Sequence, residues 1–418
     1  MKRSSILALA AVIGGLTLTG PSAQARPAPP SDLQQAAQAV VDSGPAGFLA
    51  RVDSRKGTST ATAGLADRST QRRLKNNDQY EAGSQTKTFV AVLVLQLVAE
   101  KKVALDAPIE RYLPGVVPNG ANITVRMLLQ HTSGLFNYTN DSDFAVRALN
   151  DPNTPIPVKD ILATAFSHPA DFAPGTSWSY SNTGYVILGQ MLHEVTGRPV
   201  GDLLHRRIVK PLHLKDTYLA DPFPGDTGRG YAHAYIGDLS TDPATYVDTA
   251  GWSLSWAGSA GAVVSTARDL STFYSALLSG QVLPKAQLKQ MRTTIDVTEE
   301  MSYGLGLYSL QTPCGTMWGH DGATFGSAST TFTTPDGKHS NATDVTTRLY
   351  ALDPTDPRQQ AFTQAYGQAQ ITAICGMFGQ PVPTTSTARS ATPAGPEFLD
   401  QNAQTTAVTQ ALANAAAG

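Results

Sequence analysis

The sequence has no excess of charge of either sign: 31 Lys and Arg stand against 33 Asp and Glu, a net charge of −2. Such a chain lacks the basic footprint of a nucleic-acid binder, so nucleic acid is not an expected partner. Cysteine is scarce, with only Cys314 and Cys375, and the eight histidines are scattered. No Cys/His spacing fits a metal site, and nothing calls for an organic cofactor. Internal repeats are absent. No apolar run is long enough to hold the chain in a bilayer as a permanent span.

One short apolar run, Ile6 to Leu18, follows Lys2 and Arg3 and precedes Ala23-Gln24-Ala25. This is the layout of a secretory signal peptide over residues 1–25; a buried N-terminal helix is the alternative. The expectation is a secreted, extracellular protein with no membrane contact after cleavage. Export puts the two cysteines in an oxidising compartment, which predicts one disulfide between Cys314 and Cys375. Two buried thiols are the alternative. A bridge would close a loop of about 60 residues, worth ~4 kcal/mol in the chain-entropy picture.

Along the chain, Ser31 to Val41 reads as an amphipathic helix capped by Ser31. Phe48 to Val52 and Thr60 to Gly64 read as short strands around a turn. Phe89 to Val98 is almost wholly apolar, a helix buried on every side. The pattern from about Asp106 to Val200 is mainly helical, broken by long Gly/Pro loops of the kind that carry function. Ser265 to Leu278 reads as a helix capped by Ser265 or Thr266, Gly304 to Thr334 as strands, and Pro357 to Cys375 as a last helix. These elements predict an α/β domain from both termini (26–100 and 285–380), its antiparallel sheet flanked by helices. A mostly helical domain (101–284) is inserted in the middle. Residues 381–418 lose all periodicity and read as a disordered or processed tail. A cleft between two such domains is a common place for a site.

At the head of the buried helix stand Ser84 and Lys87, three residues apart and so one turn apart on one face. A serine hydroxyl is a poor nucleophile until a base takes its proton, and a lysine beside it can assist. The helix N-terminus adds N–H groups and a positive dipole suited to an oxyanion. Two further polar stretches occur downstream: Tyr180-Ser181-Asn182 ahead of an apolar helix, and His320-Asp321-Gly322 at the end of a strand. Each is a weak signal alone, and a second Tyr-x-Asn triplet occurs at Tyr138-Thr139-Asn140.

The three together, in this order, resemble the serine penicillin-recognising enzymes. Tyr-Ser-Asn and His-x-Gly in second and third place resemble the branch holding class C β-lactamases and secreted actinomycete D-alanyl-D-alanine carboxypeptidases. The likeness runs from about residue 32 to 380, through "ITVRMLLQHTSGL", "SWAGSAGAVVSTARDLSTFYSALLSGQ" and "YGLGL". It implies the serine β-lactamase/penicillin-binding protein fold and selects Tyr180 over Tyr138. It further implies Ser84 as acylated nucleophile and Tyr180 as general base, its phenol pKa lowered from about 10 by nearby cationic character. Lys87 would lie between these two, and Asn182 would bind the substrate amide. His320 would support the hydroxyl network, and the N–H groups of Ser84 and Ala323 would form the oxyanion hole. Trp256 and Phe144 would wall the groove, with Asp321 and Gly322 lining it.

The activity so implied is a D-alanyl-D-alanine carboxypeptidase/transpeptidase acting on peptidoglycan stem peptides and acylated by β-lactams. Two features depart from that pattern. The third motif carries an acid, Asp321, and a methyl, Ala323, where the carboxypeptidase has hydroxyls. The strand before it, "LYSLQTPC", has no arginine to bind a substrate carboxylate, and no Lys or Arg occurs from Thr293 to Gly337. A missing charge-assisted hydrogen bond is worth about 1.5–3 kcal/mol. A D-amino peptidase, amidase, esterase or β-lactamase on another small D-amino-acid substrate is therefore the alternative. A third reading is a non-catalytic sensor of β-lactams or wall peptides.

Overall fold

The helix expected at Ser31 to Val41 is α1 (Asp32–Asp42) in the computed structural model, which describes residues 31–220, 222–224, 230–350 and 355–383. The expected signal peptide, and the expected tail beyond residue 383, lie outside the described residues.

After α1 come β1 (Gly47–Ser54), β2 (Gly57–Asp67), β3 (Arg72–Arg73) and β4 (Tyr80–Gly83). Next is α2 (Thr86–Ala99), in which every residue from Thr86 to Leu95 is buried. Its near-uniform apolar sequence is what a helix covered on all sides requires. The middle of the chain supplies α3 (Val125–Gln130), α4 (Ser142–Asn150), α5 (Val158–Ser167) and α6 (Asn182–Thr196). Strand β5 (Val263–Ser265) then pairs with β4.

Helix α7 (Ala267–Leu278) follows, with the Thr266 hydroxyl, not Ser265, accepting from the Asp269 N–H as its cap. Then come β6 (Ile295–Asp296), β7 (Met301–Tyr303), β8 (Tyr308–Thr312), β9 (Gly315–Ala323), β10 (Ala328–Thr333) and β11 (Ser340–Val345). The last helix, α8 (Pro357–Phe378), ends at Gly379 in the left-handed conformation, a common helix stop.

The main sheet has nine strands in the order β3-β2-β1-β11-β10-β9-β8-β7-β6. All its pairings are antiparallel, and β1 meets β11 through Phe48 opposite Val345 and Leu49 opposite Asp344. Strands from the two ends of the sequence thus close one sheet. One apolar core surrounds α2, where Phe89 stacks on Phe273 of α7 at 3.8 Å. A second core holds residues of α1, α8 and the sheet, including Ala37, Phe48, Phe332 and Ile374. The Cys314–Cys375 disulfide is present and ties β9's approach to α8. No described helix is long and apolar enough to cross a membrane.

Candidate active site

Strand β4 delivers Ser84 to the N-terminal turn of α2. Gly83 takes φ +55 there, and a Cβ on it would lie 2.5 Å from the Ala323 nitrogen. A Cβ on Gly322 would strike the Ala82 carbonyl and come within 2.8 Å of the Ser84 nitrogen. Two glycines therefore let the nucleophile turn and the end of β9 meet backbone to backbone. The N–H groups of Ser84 and Ala323, the expected oxyanion pair, are brought to one place.

Lys87 is fully buried. Its Nζ donates to Ser84 Oγ at 2.7 Å, to Asn182 Oδ1 at 2.7 Å and to the Ala260 carbonyl at 2.9 Å. It also stands 4.8 Å from the centre of the Tyr180 ring. Three oriented acceptors compensate an ammonium whose burial is otherwise costly. Ser84 is a neighbour expected from sequence; the Ala260 carbonyl, on a one-turn helix (Gly258–Gly261), is not.

The Tyr180-Ser181-Asn182 turn runs straight into α6, with Asn182 its first residue. Asn182 is held from two sides. Its N–H donates to Asn137 Oδ1 and its side-chain amide to Thr139 Oγ1, both at 3.0 Å. The second Tyr-x-Asn triplet is thus not idle: Tyr138–Asn140 is a short 3₁₀ turn that orients Asn182. Its Tyr138 hydroxyl donates to the Trp256 carbonyl at 2.6 Å.

Trp256 packs on Phe325 at 4.7 Å and Phe325 on Trp252 at 6.0 Å, an aromatic cluster beyond the end of β9. Phe144 is buried edge-on to Tyr138, ring centres 4.9 Å apart, and so reaches Trp256 through Tyr138. Near the same strand end, Arg348 donates to the Thr324 carbonyl at 2.8 Å, a buried guanidinium that no motif in the sequence marks.

On β9, His320 is wholly buried. Burial, then the Lys87 ammonium, push its imidazole down to about 3, so it is neutral at physiological pH. Its Nδ1 faces the Asp321 carbonyl at 2.6 Å and its Nε2 the Tyr303 hydroxyl at 3.0 Å. Asp321 accepts the Tyr308 phenol proton at 2.9 Å. The His131 ring, also buried, lies 4.4 Å from that of Tyr180 and 3.0 Å from the Tyr303 hydroxyl. Burial first, then the charge of Lys87, hold His131 well below the ordinary imidazole range. Among the described residues no group of His, Cys, Asp and Glu could hold a metal.

The sequence model of the family described as Beta-lactamase matches residues 33–363. Esterase EstB of Burkholderia gladioli is 34% identical over 163 residues, 37% of this chain and 41% of that protein. Penicillin-binding protein 4 of Amycolatopsis lactamdurans is 29% identical over 286 residues, 63% of this chain and 71% of that protein. The chain spans about half the length of the first curated relatives it matches. Among solved structures, a D-stereospecific amidohydrolase from Streptomyces sp. superposes with a TM-score of 0.70 at 37% identity, covering 80% of this chain and 97% of that one.

Proposed function

The chain belongs to the beta-lactamase family, a serine hydrolase by that membership, and we propose that it hydrolyses amide or ester bonds of small D-amino-acid compounds through an acyl-enzyme on Ser84. The observation that carries this is the buried Lys87 ammonium bonded at 2.7 Å to both Ser84 Oγ and Asn182 Oδ1.

In this reading Tyr180, as phenolate beside that ammonium, takes the Ser84 proton while Oγ attacks the substrate carbonyl carbon. An adjacent cation favours the phenolate form. The carbonyl oxygen becomes an oxyanion facing the Ser84 and Ala323 N–H groups. As the intermediate collapses, Tyr180 returns the proton to the leaving amine or alcohol. Water activated by the same phenolate then attacks the acyl carbon and frees Ser84. Asn182 binds the substrate amide, His320 supports the network, and Trp256 and Phe325 offer an apolar wall.

The substrate preference we favour is for compounds without a free carboxylate next to the scissile bond. Supporting it are Tyr308 and Asp321, a phenol bonded to an acid where a carboxylate would need a cation. The likeness to a D-stereospecific amidohydrolase also supports it. The D-alanyl-D-alanine carboxypeptidase is the second reading, favoured by the likeness to a penicillin-binding protein; a β-lactam would then acylate Ser84 and inhibit the enzyme. We place the enzyme outside the cell, on the strength of residues 1–25 and the disulfide.

The test is a substrate panel. Purified protein and Ser84→Ala are given D-aminoacyl amides and esters alongside peptides ending in D-Ala-D-Ala. Faster Ser84-dependent turnover of the amides and esters supports the favoured preference; faster turnover of the D-Ala-D-Ala peptides replaces it with the second reading.

A further inference from the structure

His131 follows α3 in the left-handed conformation, φ +62, a costly position for a residue with a side chain. What it gains there is a double hold on the Tyr180 turn. Its carbonyl accepts from the Ser179 N–H at 3.1 Å, and its Nδ1 accepts from the Ser181 N–H at 3.2 Å.

The second bond fixes the tautomer. A backbone N–H can only donate, so Nδ1 carries no proton and a neutral ring must be protonated on Nε2. That N–H points at the Tyr303 oxygen, 3.0 Å away. The Tyr303 proton is then left for an acceptor: His320 Nε2, also at 3.0 Å, or the neighbouring Tyr185 oxygen, whose own proton goes to the Leu129 carbonyl at 2.7 Å. His320 must in turn be protonated on Nδ1, which faces an acceptor-only carbonyl, that of Asp321, at 2.6 Å. The reverse direction fails at both ends: a protonated Nδ1 on His131 would meet the Ser181 N–H, and a bare Nδ1 on His320 would meet a carbonyl oxygen.

We infer that His131 and Tyr303 are positioning residues, which clamp the turn carrying Tyr180 and Asn182 to the strand carrying Gly322 and Ala323 through a one-directional hydrogen-bond chain. The chain runs from the Ser181 N–H through His131, Tyr303 and His320 to the Asp321 carbonyl. The inference rests on the acyl-transfer reading of Ser84 for its consequence, though not for its geometry. Tyr180 and the Ala323 oxyanion donor lie 143 residues apart in sequence, and reacting groups misplaced by about 1 Å lose ~100-fold in rate. Both imidazoles stay neutral through burial and the nearby Lys87 charge, so the clamp adds no positive charge to compete with that ammonium.

The experiment combines imidazole ¹⁵N NMR of the whole protein with steady-state kinetics on the best substrate of the panel. The wild type should show His131 protonated on Nε2 and His320 on Nδ1. Tyr303→Phe keeps the ring and deletes both central bonds; each imidazole should keep the tautomer that its own backbone partner dictates, while kcat falls ~100-fold with little change in KM. His131→Gln, which keeps a donor near Nε2, should retain more kcat than His131→Leu. Wild-type spectra with the opposite tautomers overturn the inference even if Tyr303→Phe does not fold. Wild-type kcat in folded Tyr303→Phe also overturns it. Absence of Ser84-dependent turnover in the wild type would instead sink the acyl-transfer reading, and the NMR result would still decide the clamp's geometry.

Discussion

Tyr308 donates its phenol proton to Asp321 at 2.9 Å, and both side chains are buried. The Tyr308 ring also lies 5.1 Å from His320, which places the pair next to the third motif. An acid there supplies no attraction for a substrate carboxylate and repels one through a low-dielectric interior. Asp321→Asn removes that repulsion and keeps an acceptor for Tyr308. The ratio of kcat/KM for carboxylate-ended over amide substrates should rise on the order of tenfold, about 1.4 kcal/mol of relief. An unchanged ratio would show that Asp321 does not set this preference. The structure also makes an arginine at position 308 a poor way to restore the missing cation, since it would delete the donor that satisfies the acid.

Lys87 serves three acceptors from a site with no exposure. Lys87→Met keeps much of the volume and leaves Ser84 Oγ, Asn182 Oδ1 and the Ala260 carbonyl without that donor. Turnover should fall by ~10²–10⁴, the scale of a lost proton-transfer partner, while circular dichroism shows a folded protein. Lys87→Arg should not rescue it, because a planar guanidinium cannot reproduce three bonds from one compact nitrogen. Substantial rescue by arginine would mean that charge alone is required.

Much of this site is written locally in the sequence. Ser84 and Lys87 sit one turn apart at the head of a helix whose apolar body announces its burial, and Asn182 starts a second helix. These are short-range patterns, and the helix and strand periodicities around them are also local. What supports the site is not local. The Ala260 carbonyl meets a lysine 173 residues away, and Thr139 meets Asn182 across 43. A carbonyl has no residue type, and Tyr138-Thr139-Asn140 looks like a turn because it is one. His131 and Tyr303 stand in plain sequence, yet their pairing across 172 residues depends on how β7 passes α3. The sheet order is likewise beyond a local reading: β1 and β11 must meet before their register exists.

Tyr180 lies where three groups converge: its ring is 4.4 Å from His131, 6.4 Å from His320 and 4.8 Å from Lys87 Nζ. Tyr180→Phe preserves all three contacts and deletes only the hydroxyl. If that hydroxyl is the base, kcat should fall by ~10²–10⁴ with KM nearly unchanged. Labelling by a fluorescent penicillin should slow in parallel and vanish in Ser84→Ala. A loss confined to KM would remove Tyr180 from proton transfer and leave it as a substrate contact.

Asp344 gives the protein a pH signature outside the site. It lies in β11 opposite Leu49 and Ser329, fully buried, and neither carboxylate oxygen has a hydrogen-bond partner among the described residues. Burial, then the charge of Glu81, raise its pKa well above the ordinary value of 3.8. The folded protein therefore keeps this proton after the unfolded chain has released it. Its contribution is fully present below pH ~4 and is lost as pH rises toward the folded pKa, at about 1.4 kcal/mol per pH unit. The buried histidines slope the other way: they lose stability as pH falls below about 6.5, so the two effects oppose each other in mild acid. Asp344→Asn isolates the carboxyl. Its stability relative to wild type, from urea unfolding at a series of pH values, should climb steadily from pH 4 to 7. A pH-independent difference would mean that Asp344 ionises in the folded protein as readily as in the unfolded chain.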